Sequence, residues 1–297
     1  MNKITRRRFI KTGAAGMAGL TVIGSGFANI SCVPANVAVD KVKLGKTGLL
    51  VSRIAMGTGT VGYNKGSNQT RKGMDTFVKM AHHAYERGIH FFDMADGYGS
   101  HPFVGEAIKT LPREKLTLLS KVWTYEDGSE NNLPVDKILD RFRQEIDTDY
   151  IDILLMHCMM EGNWDKIRTH YIDGLAKAKQ DGIIRATGVS CHNIDALRLA
   201  SQHPWVDVIM ARLNPFGTKM DGTPDEISEI LAQAQANGKG VIAMKVFGEG
   251  EHIKDDEREQ SIKFALTRGN ISCMTLGMES ELQIDDAVER VMRLAKA

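Results

Sequence analysis

The chain has 297 residues, of which 42% are hydrophobic and 25% are charged, a composition typical of a globular protein that buries a full core. The formal net charge of +1 is unevenly distributed, because residues 1–32 hold five basic side chains and no acidic one. Without those five, 33 basic residues face 37 acidic ones, a net of −4. The body of the chain therefore offers no basic stripe for nucleic acid or for an anionic membrane.

The first 32 residues have the features of an export signal. The segment TRRRFIK (5–11) resembles a twin-arginine signal, and a weakly apolar stretch rich in Gly and Ala (12–28) follows it. That stretch is too short and too rich in glycine for a membrane span, which needs ~20 mostly apolar residues. A basic, disordered arm is the alternative interpretation. We expect a twin-arginine signal peptide over residues 1–32, the Tat export machinery as a partner, and a periplasmic or cell-envelope location.

The end of this signal has two interpretations. The tripeptide ending at Cys32 is similar to the end of a lipoprotein box, although Asn29 stands where an apolar residue is usual. Lipidation at Cys32 therefore competes with cleavage near Ala28, Ala35 or Ala38. Any contact of the mature protein with a membrane would be made through this lipid anchor.

Residues 33–297 alternate between apolar strand-like runs and amphipathic helical stretches, after a hairpin-like segment over 41–54. The predicted strands are RIAMGT (53–58), IHFFDMA (89–95), LTLLSKV (116–122), YIDILLMH (150–157), RATGVS (185–190), VDVIMARLN (206–214), GVIAMKV (240–246) and ISCMTLGM (271–278). Eight strand–helix repeats over this length predict an α/β fold, a (β/α)8 TIM barrel with an N-terminal β-hairpin. An open doubly wound sheet is the alternative, but GTGTVG (57–62) is a poor match to its phosphate-binding turn.

Four titratable residues fall at or just after the ends of successive predicted strands: Asp93, Tyr98, Lys121 and His157. In a (β/α)8 barrel the active site is built from the C-terminal ends of the strands. An ammonium near Tyr98 would lower the pKa of its phenol, and Asp93 could hold that ammonium charged and oriented. His157 could donate a hydrogen bond to a carbonyl oxygen or pass protons to Tyr98. The set predicts polarisation and protonation of a carbonyl by Tyr98, with the electron pair supplied by a cofactor.

With these residues in place, the chain resembles the aldo-keto reductase family from about Lys41 onward. The resemblance rests on D-x-A-x-x-Y-G (93–99), the opening LGKTGLLVSRIAMGTG (44–59), Lys121, His157, GIIRATGVS (182–190) and GVIAMK (240–245). It implies the same barrel, a catalytic tetrad of Asp93, Tyr98, Lys121 and His157, and NAD(P)H bound without a Rossmann domain.

The resemblance also implies cofactor contacts. They come from Ser190, Asn214, Lys245, Gly277 and Glu279, with the 244–250 loop covering the pyrophosphate. A carboxylate at Glu279 repels a 2′-phosphate, so of NAD and NADP the sequence slightly favours NAD. Cys191, Met210 and Met244 stand where many members carry groups that touch the nicotinamide.

The expected substrate is a small carbonyl or alcohol compound, such as a sugar or a ring ketone, facing Trp123, Trp164, Phe216 and the 124–134 loop. The sequence thus predicts an exported oxidoreductase that moves hydride between a nicotinamide cofactor and this substrate. Two alternatives are a metal-assisted sugar isomerase or hydrolase on the same barrel, and a non-catalytic, nucleotide-sensing envelope protein. No spacing typical of a metal site is present, so none is predicted. Oligomeric state and reaction direction are not predicted.

Overall fold

The computed structural model describes residues 38–125 and 133–296. The predicted signal over 1–32, Cys32 included, lies outside the described residues, as do positions 126–132 of the expected pocket loop. None of the helices in the described part of the chain is both long and apolar enough to cross a bilayer.

The predicted N-terminal hairpin is present and closes one end of a barrel. Its antiparallel strands are β1 (Lys41–Lys43) and β2 (Leu50–Ser52). Leu44, Leu49 and Val51 are buried in one cluster with residues of the barrel interior. The turn of the hairpin presses on the start of a barrel strand, because a Cβ added at Gly45 would lie 2.3 Å from the backbone nitrogen of Gly240. The hairpin therefore covers the N-terminal ends of the strands and leaves their C-terminal ends open.

Eight parallel strands form the barrel. They are β3 (Ile54–Gly57), β4 (Phe91–Asp93), β5 (Thr117–Trp123), β6 (Ile151–Met159), β7 (Ile184–Cys191), β8 (Val208–Arg212), β9 (Gly240–Met244) and β10 (Cys273–Gly277). Each pairs with its neighbour along the chain, and β10 closes the ring on β3. The predicted (β/α)8 barrel is confirmed.

Nine α-helices are found among the described residues. They are α1 (Met74–Glu86), α2 (His101–Ile108), α3 (Val135–Ile146), α4 (Trp164–Ile167), α5 (Thr169–Gln180), α6 (Ile194–Gln202), α7 (Pro224–Ala236), α8 (Asp255–Arg268) and α9 (Glu281–Leu294). Eight match the amphipathic stretches that the sequence predicts at 71–87, 103–110, 135–147, 168–180, 194–202, 224–237, 258–268 and 280–296. The ninth, α4, is a single turn, too short for a helical period to be read from sequence.

The buried apolar residues form two layers, as expected for this fold. The inner layer fills the barrel with residues such as Phe91, Leu119, Ile153 and Ile242. The outer layer packs the strands against the helices and includes Phe77, Phe142 and Leu231. Side chains alternate between these two layers along each strand. The inward-facing phase of each strand can therefore be followed to its C-terminal end, where a site can form.

Candidate active site

Three of the four predicted residues occupy inward-facing positions near the C-terminal ends of their strands, and their side chains therefore lie in the mouth of the barrel. Phe91, Leu119 and Leu155 lie in the inner layer, and they are followed two residues later by Asp93, Lys121 and His157. The fourth, Tyr98, lies in a single 3-10 turn (Asp96–Tyr98) between β4 and α2. The structure brings all four together at the C-terminal end of the barrel.

Lys121 and Asp93 form a buried ion pair at the floor of this mouth. Their side chains are 1% and 7% exposed, and the ammonium donates to Oδ1 of Asp93. It also donates to the carbonyl oxygen of Met94 at 2.8 Å, while the hydroxyl of Thr275 donates to Oδ2 of Asp93 at 2.8 Å. Burial has the largest single effect on the pKa of Lys121 and lowers it, but the charge of Asp93, the contribution of Tyr98 and the hydrogen bonds to both together outweigh burial and leave that pKa raised. This ion pair is the contact through which Asp93 is predicted to keep Lys121 charged and oriented.

The ring of Tyr98 is wedged between this pair and two glycines. The Lys121 ammonium lies 5.0 Å from the centre of the ring. A Cβ added at Gly59 or at Gly62 would lie 2.3 or 2.5 Å from ring atoms, so only glycine leaves room for the phenol at either position. Burial raises the pKa of Tyr98, and the positive charge of Lys121 only partly offsets this. The lowering effect of Lys121 that the sequence predicts is present, but the opposing effect of burial, which the sequence does not predict, is larger, so the net pKa of the phenol is raised.

His157 faces Tyr98 as a neutral imidazole. The two rings meet edge to face with their centres 5.7 Å apart. Burial, followed by the charge of Lys121, holds the pKa of His157 well below its usual value. The imidazole is therefore uncharged near neutral pH and can donate one N–H hydrogen bond.

A backbone irregularity fixes the orientation of His157. The register of β6 against β7 shifts between Met156 and Met159, and Cys158 has a left-handed φ of 66°. Such a conformation costs about 1–3 kcal/mol and needs support from its surroundings. The hydroxyl of Ser190 accepts from the amide of Cys158 at 2.8 Å, and the phenol of Tyr125 donates to the carbonyl of Cys158 at 2.8 Å. Ser190 of β7 and Tyr125, two residues beyond the end of β5, thus hold the irregular backbone that follows His157.

The residues predicted to contact the cofactor differ in their surroundings. Ser190 is fully buried in the mouth, at the end of the inward phase of β7. Lys245, with a left-handed φ of 54°, follows β9 and pairs with Glu249. Gly277 ends β10 beside Thr60, whose hydroxyl would lie 2.2 Å from an added Cβ.

Asn214 and Glu279 are bound to other parts of the protein. The amide nitrogen of Asn214 donates to the carbonyl of Thr218 at 2.8 Å, and its oxygen accepts from the amides of Phe216 and Thr218 at 3.1 and 3.2 Å. Asn214 therefore shapes the loop after β8. A carboxylate oxygen of Glu279 accepts from the side chain of Asn68 at 2.9 Å.

Two of the three residues predicted to wall the substrate pocket lie at the mouth. Trp123 ends β5, and its ring meets that of His157 edge to face at 5.6 Å. Phe216 is 38% exposed and stacks on His252 with ring centres 3.8 Å apart. Trp164 is fully buried, donates its indole N–H to the carbonyl of Ala196 at 3.2 Å and packs on Trp205. Its expected place in the pocket wall is wrong, because its ring belongs to the core.

Two polar groups at the mouth, Arg212 and His192, are not among the site residues that the sequence predicts. Arg212 follows Val208 and Met210 at the inward-facing positions of β8. Two of its guanidinium nitrogens donate to the carboxylate of Asp221, whose side chain is 3% exposed. His192 lies two residues beyond Ser190, and burial, followed by the charges of Lys245, Arg212 and Lys121, lowers its pKa to about 3. The alternation that places Asp93 and Lys121 could also have located Arg212.

Comparison with known proteins identifies the family. The model of the aldo/keto reductase family matches residues 53–296. The chain belongs to this family. Aldo-keto reductases are NAD(P)-dependent oxidoreductases that act on carbonyl compounds, and this protein is such an enzyme.

Curated relatives and solved structures agree with this assignment. L-galactose dehydrogenase of Arabidopsis thaliana is 26% identical over 84% of this chain and 88% of its own length. The NADH-specific methylglyoxal reductase of Escherichia coli is 27% identical over 67% of this chain, which spans 65% of that protein. The fold matches the holo form of an aldo-keto reductase from Bacillus halodurans, at 20% identity and a TM-score of 0.66 over 87% of this chain and 94% of that one. It also matches an aldo/keto reductase from Klebsiella pneumoniae in complex with NADP and acetate, at 17% identity and a TM-score of 0.64 over 85% and 90% of the two chains.

Proposed function

We propose that this aldo-keto reductase is exported and interconverts a carbonyl and an alcohol on a polyhydroxylated substrate, with Tyr98 as the general acid and base. The observation that carries the proposal is the packing of Tyr98 against the Lys121–Asp93 pair and His157 in the mouth of the barrel.

The roles of the side chains follow from their charge states. The Tyr98 phenol keeps its proton at neutral pH because burial raises its pKa, so it can give that proton to a carbonyl oxygen. The adjacent Lys121 ammonium stabilises the phenolate that remains. The neutral His157 donates a hydrogen bond to the same oxygen as negative charge develops on it. Positioned acid catalysis of this kind contributes roughly 10²–10⁴-fold.

A nicotinamide nucleotide, when bound, supplies the hydride. The chain offers donors that suit such a group: the Ser190 hydroxyl for a carboxamide and the Lys245 ammonium for phosphates. Glu279 would repel a 2′-phosphate and accept from a ribose diol, which favours NAD. The ammonium of Lys72 lies 3.9 Å from Glu279 and would attract a 2′-phosphate, so it opposes the preference for NAD.

A polyhydroxylated substrate suits the polar groups around the tetrad. Arg212 and Asp221 provide charged donors and acceptors in the mouth, and neutral His192 adds a further hydrogen-bonding group. Trp123 provides an apolar face beside His157, and aromatic faces pack well against sugar rings. The similarity to an L-galactose dehydrogenase points to the same class of substrate.

Export is supported by the sequence of residues 1–32. The twin-arginine pathway carries folded proteins, so a cofactor could be loaded before the enzyme crosses the membrane. Because the cell envelope offers no obvious pool of reduced nucleotide, we propose that the cofactor is tightly retained. Cys32 is a separate proposal, as a candidate site of lipidation. Mass spectrometry of the purified exported protein tests this. Co-purifying NAD or NADP is expected, and a nucleotide-free protein with no measurable affinity for either would contradict it.

Substitution of Tyr98 tests the chemistry. Tyr98→Phe keeps the ring and removes the proton, so turnover should fall by roughly 10²-fold or more while the dissociation constant for nucleotide stays within about twofold. Suitable probes are L-galactose with NAD⁺ and methylglyoxal with NADH. The matched control is Tyr63→Phe, whose side chain is exposed. Unchanged turnover in Tyr98→Phe would refute the assignment.

A further inference from the structure

The turn that carries Tyr98 is short and needs support from outside. Residues Asp96–Tyr98 form one 3-10 turn, closed by the amide of Tyr98 donating to the carbonyl of Ala95 at 3.1 Å. A single turn of this kind has poor hydrogen-bond geometry and little stability of its own. The position of the phenol therefore depends on what holds Asp96.

Asp96 is held mainly by Arg141 of α3. The carboxylate is 7% exposed and accepts from both terminal nitrogens of Arg141 at 2.9 Å. This two-bond geometry fixes direction as well as distance. Lys65 contacts the same carboxylate, and its backbone amide donates to the carbonyl of Gly97 at 2.9 Å.

The contacts of Asp96 and Arg141 continue, through Glu145 and His101, to the strand that carries Lys121. Arg141 also donates to Glu145, one turn along α3, at 2.9 Å. The other oxygen of Glu145 lies 2.7 Å from Nδ1 of His101, and Nε2 of His101 lies 2.8 Å from the hydroxyl of Ser120. Ser120 immediately precedes Lys121 in β5. One chain of contacts on the outer side of the barrel thus joins the turn of Tyr98 to the strand of Lys121.

This cluster is built as an ionic clamp. Oxygen and nitrogen atoms of Asp96, His101 and Glu145 lie within 4.8 Å of one another, a spacing that could also hold a metal ion. The guanidinium of Arg141 bonds to both carboxylates and supplies the positive charge that an ion would bring. Although burial raises the pKa of Asp96 and of Glu145, hydrogen bonds to their partners outweigh it and keep both pKa values lowered, so both remain ionised.

The ring of Tyr98 has almost no space in which to change its rotamer and so compensate for a displaced turn. Gly59 and Gly62 lie so close that a Cβ at either would overlap the ring, and Gly99 lies against Lys65, whose carbonyl oxygen would be 2.0 Å from an added Cβ. Any shift of the turn must therefore change the place of the phenol oxygen relative to Lys121. A displacement of about 1 Å at a catalytic group can cost 10²-fold in rate.

We propose that Arg141 is a positioning residue for Tyr98, acting through the carboxylate of Asp96. The inference rests on the proposed role of Tyr98 as acid and base. It assigns to α3, outside the barrel, the function of setting the distance between the phenol and Lys121.

The test compares Arg141→Met, which keeps length but loses charge and hydrogen bonds, with Arg141→Lys and Asp96→Asn. With methylglyoxal and NADH, Arg141→Met should lower kcat by roughly 10- to 100-fold, leaving KM and the nucleotide dissociation constant within about twofold. Arg141→Lys should restore part of that loss, because an ammonium still reaches Asp96. The control is Arg143→Met on the same helix, since Arg143 bonds Asp140 and the carbonyl of Asp149 at the surface.

All variants are measured well below their melting temperatures, so that loss of fold is separated from loss of position. Asp96→Asn, which preserves shape, provides the answer if Arg141→Met does not fold. Full kcat in the folded Arg141 and Asp96 variants, or an equal loss in Arg143→Met, would overturn the inference. Tyr98→Phe is measured beside them. If it retains turnover, the proposed function fails, whereas an inactive Tyr98→Phe with a fully active Arg141→Met removes only the role of Arg141.

Discussion

Lys121→Met should destabilise the protein strongly, because it leaves the charge of Asp93 buried without its partner. The two side chains are 1% and 7% exposed, so little water can reach the carboxylate, and Thr275 is its remaining hydrogen-bond donor among the described residues. Removing one member of a buried pair costs about 3–5 kcal/mol. Guanidinium chloride unfolding followed by circular dichroism should show this loss in the free energy of unfolding.

A double variant distinguishes the cost of the buried charge from the cost of altered packing. Lys121→Met combined with Asp93→Asn removes both charges, and it should recover most of the loss, because a neutral amide is much less costly to bury. Lys109→Met is the matched control: its ion pair with Glu106 lies at the surface, and no measurable change is expected. A single variant that costs less than about 1 kcal/mol, or a double variant whose cost equals the sum of the two single ones, would refute this reasoning.

Three further predictions concern the mouth and the core. The pKa of His192 in the folded protein is about 3, below its usual 6.5. The unfolded chain therefore binds a proton first as the pH falls below 6.5, and the free energy of unfolding should drop by about 2 kcal/mol at pH 5. His192→Asn should remove this drop when urea unfolding at pH 7 is compared with unfolding at pH 5. Gly59→Ala should lower kcat by roughly 10-fold or more, whereas Gly97→Ala, with nothing within 4 Å of its added Cβ, should not. Trp164→Ala should cost about 3–5 kcal/mol of unfolding free energy and leave KM unchanged.

The barrel could be predicted because its signals are local. Asp93, Lys121 and His157 lie near the C-terminal ends of strand runs whose side chains alternate with a period of two, and that period fixes which side chains face inward. Counting forward from Phe91 or Leu119 is enough to place a titratable group at the mouth. The hairpin also depends on nearby residues, since its two strands are only six residues apart.

The remaining features depend on contacts between distant residues or on burial. Arg141 meets Asp96 across 45 positions, and nothing in the local pattern of α3 links the two. Burial decides the direction of the Tyr98 pKa shift, and burial is a property of the assembled mouth. The sequence predicts Trp164 in the pocket wall as an aromatic side chain, yet Trp164 begins the single turn α4 and its ring is fully buried in the core.

The pH dependence of turnover should reveal which group donates the proton. With the pKa of Tyr98 raised by burial, the phenol stays protonated through neutral pH, so the rate of carbonyl reduction should be flat from pH 6 to 8. Alcohol oxidation needs the ionised phenol and should rise with pH over the same range, by close to tenfold per unit if that ionisation limits the rate. His157 has a pKa well below its usual value, so its titration lies below this window. The rates of carbonyl reduction and of alcohol oxidation, measured against pH with one carbonyl–alcohol pair, show which group donates the proton. A reduction rate that falls through an apparent pKa near 6.5 would assign the proton to an imidazole and refute the role of Tyr98.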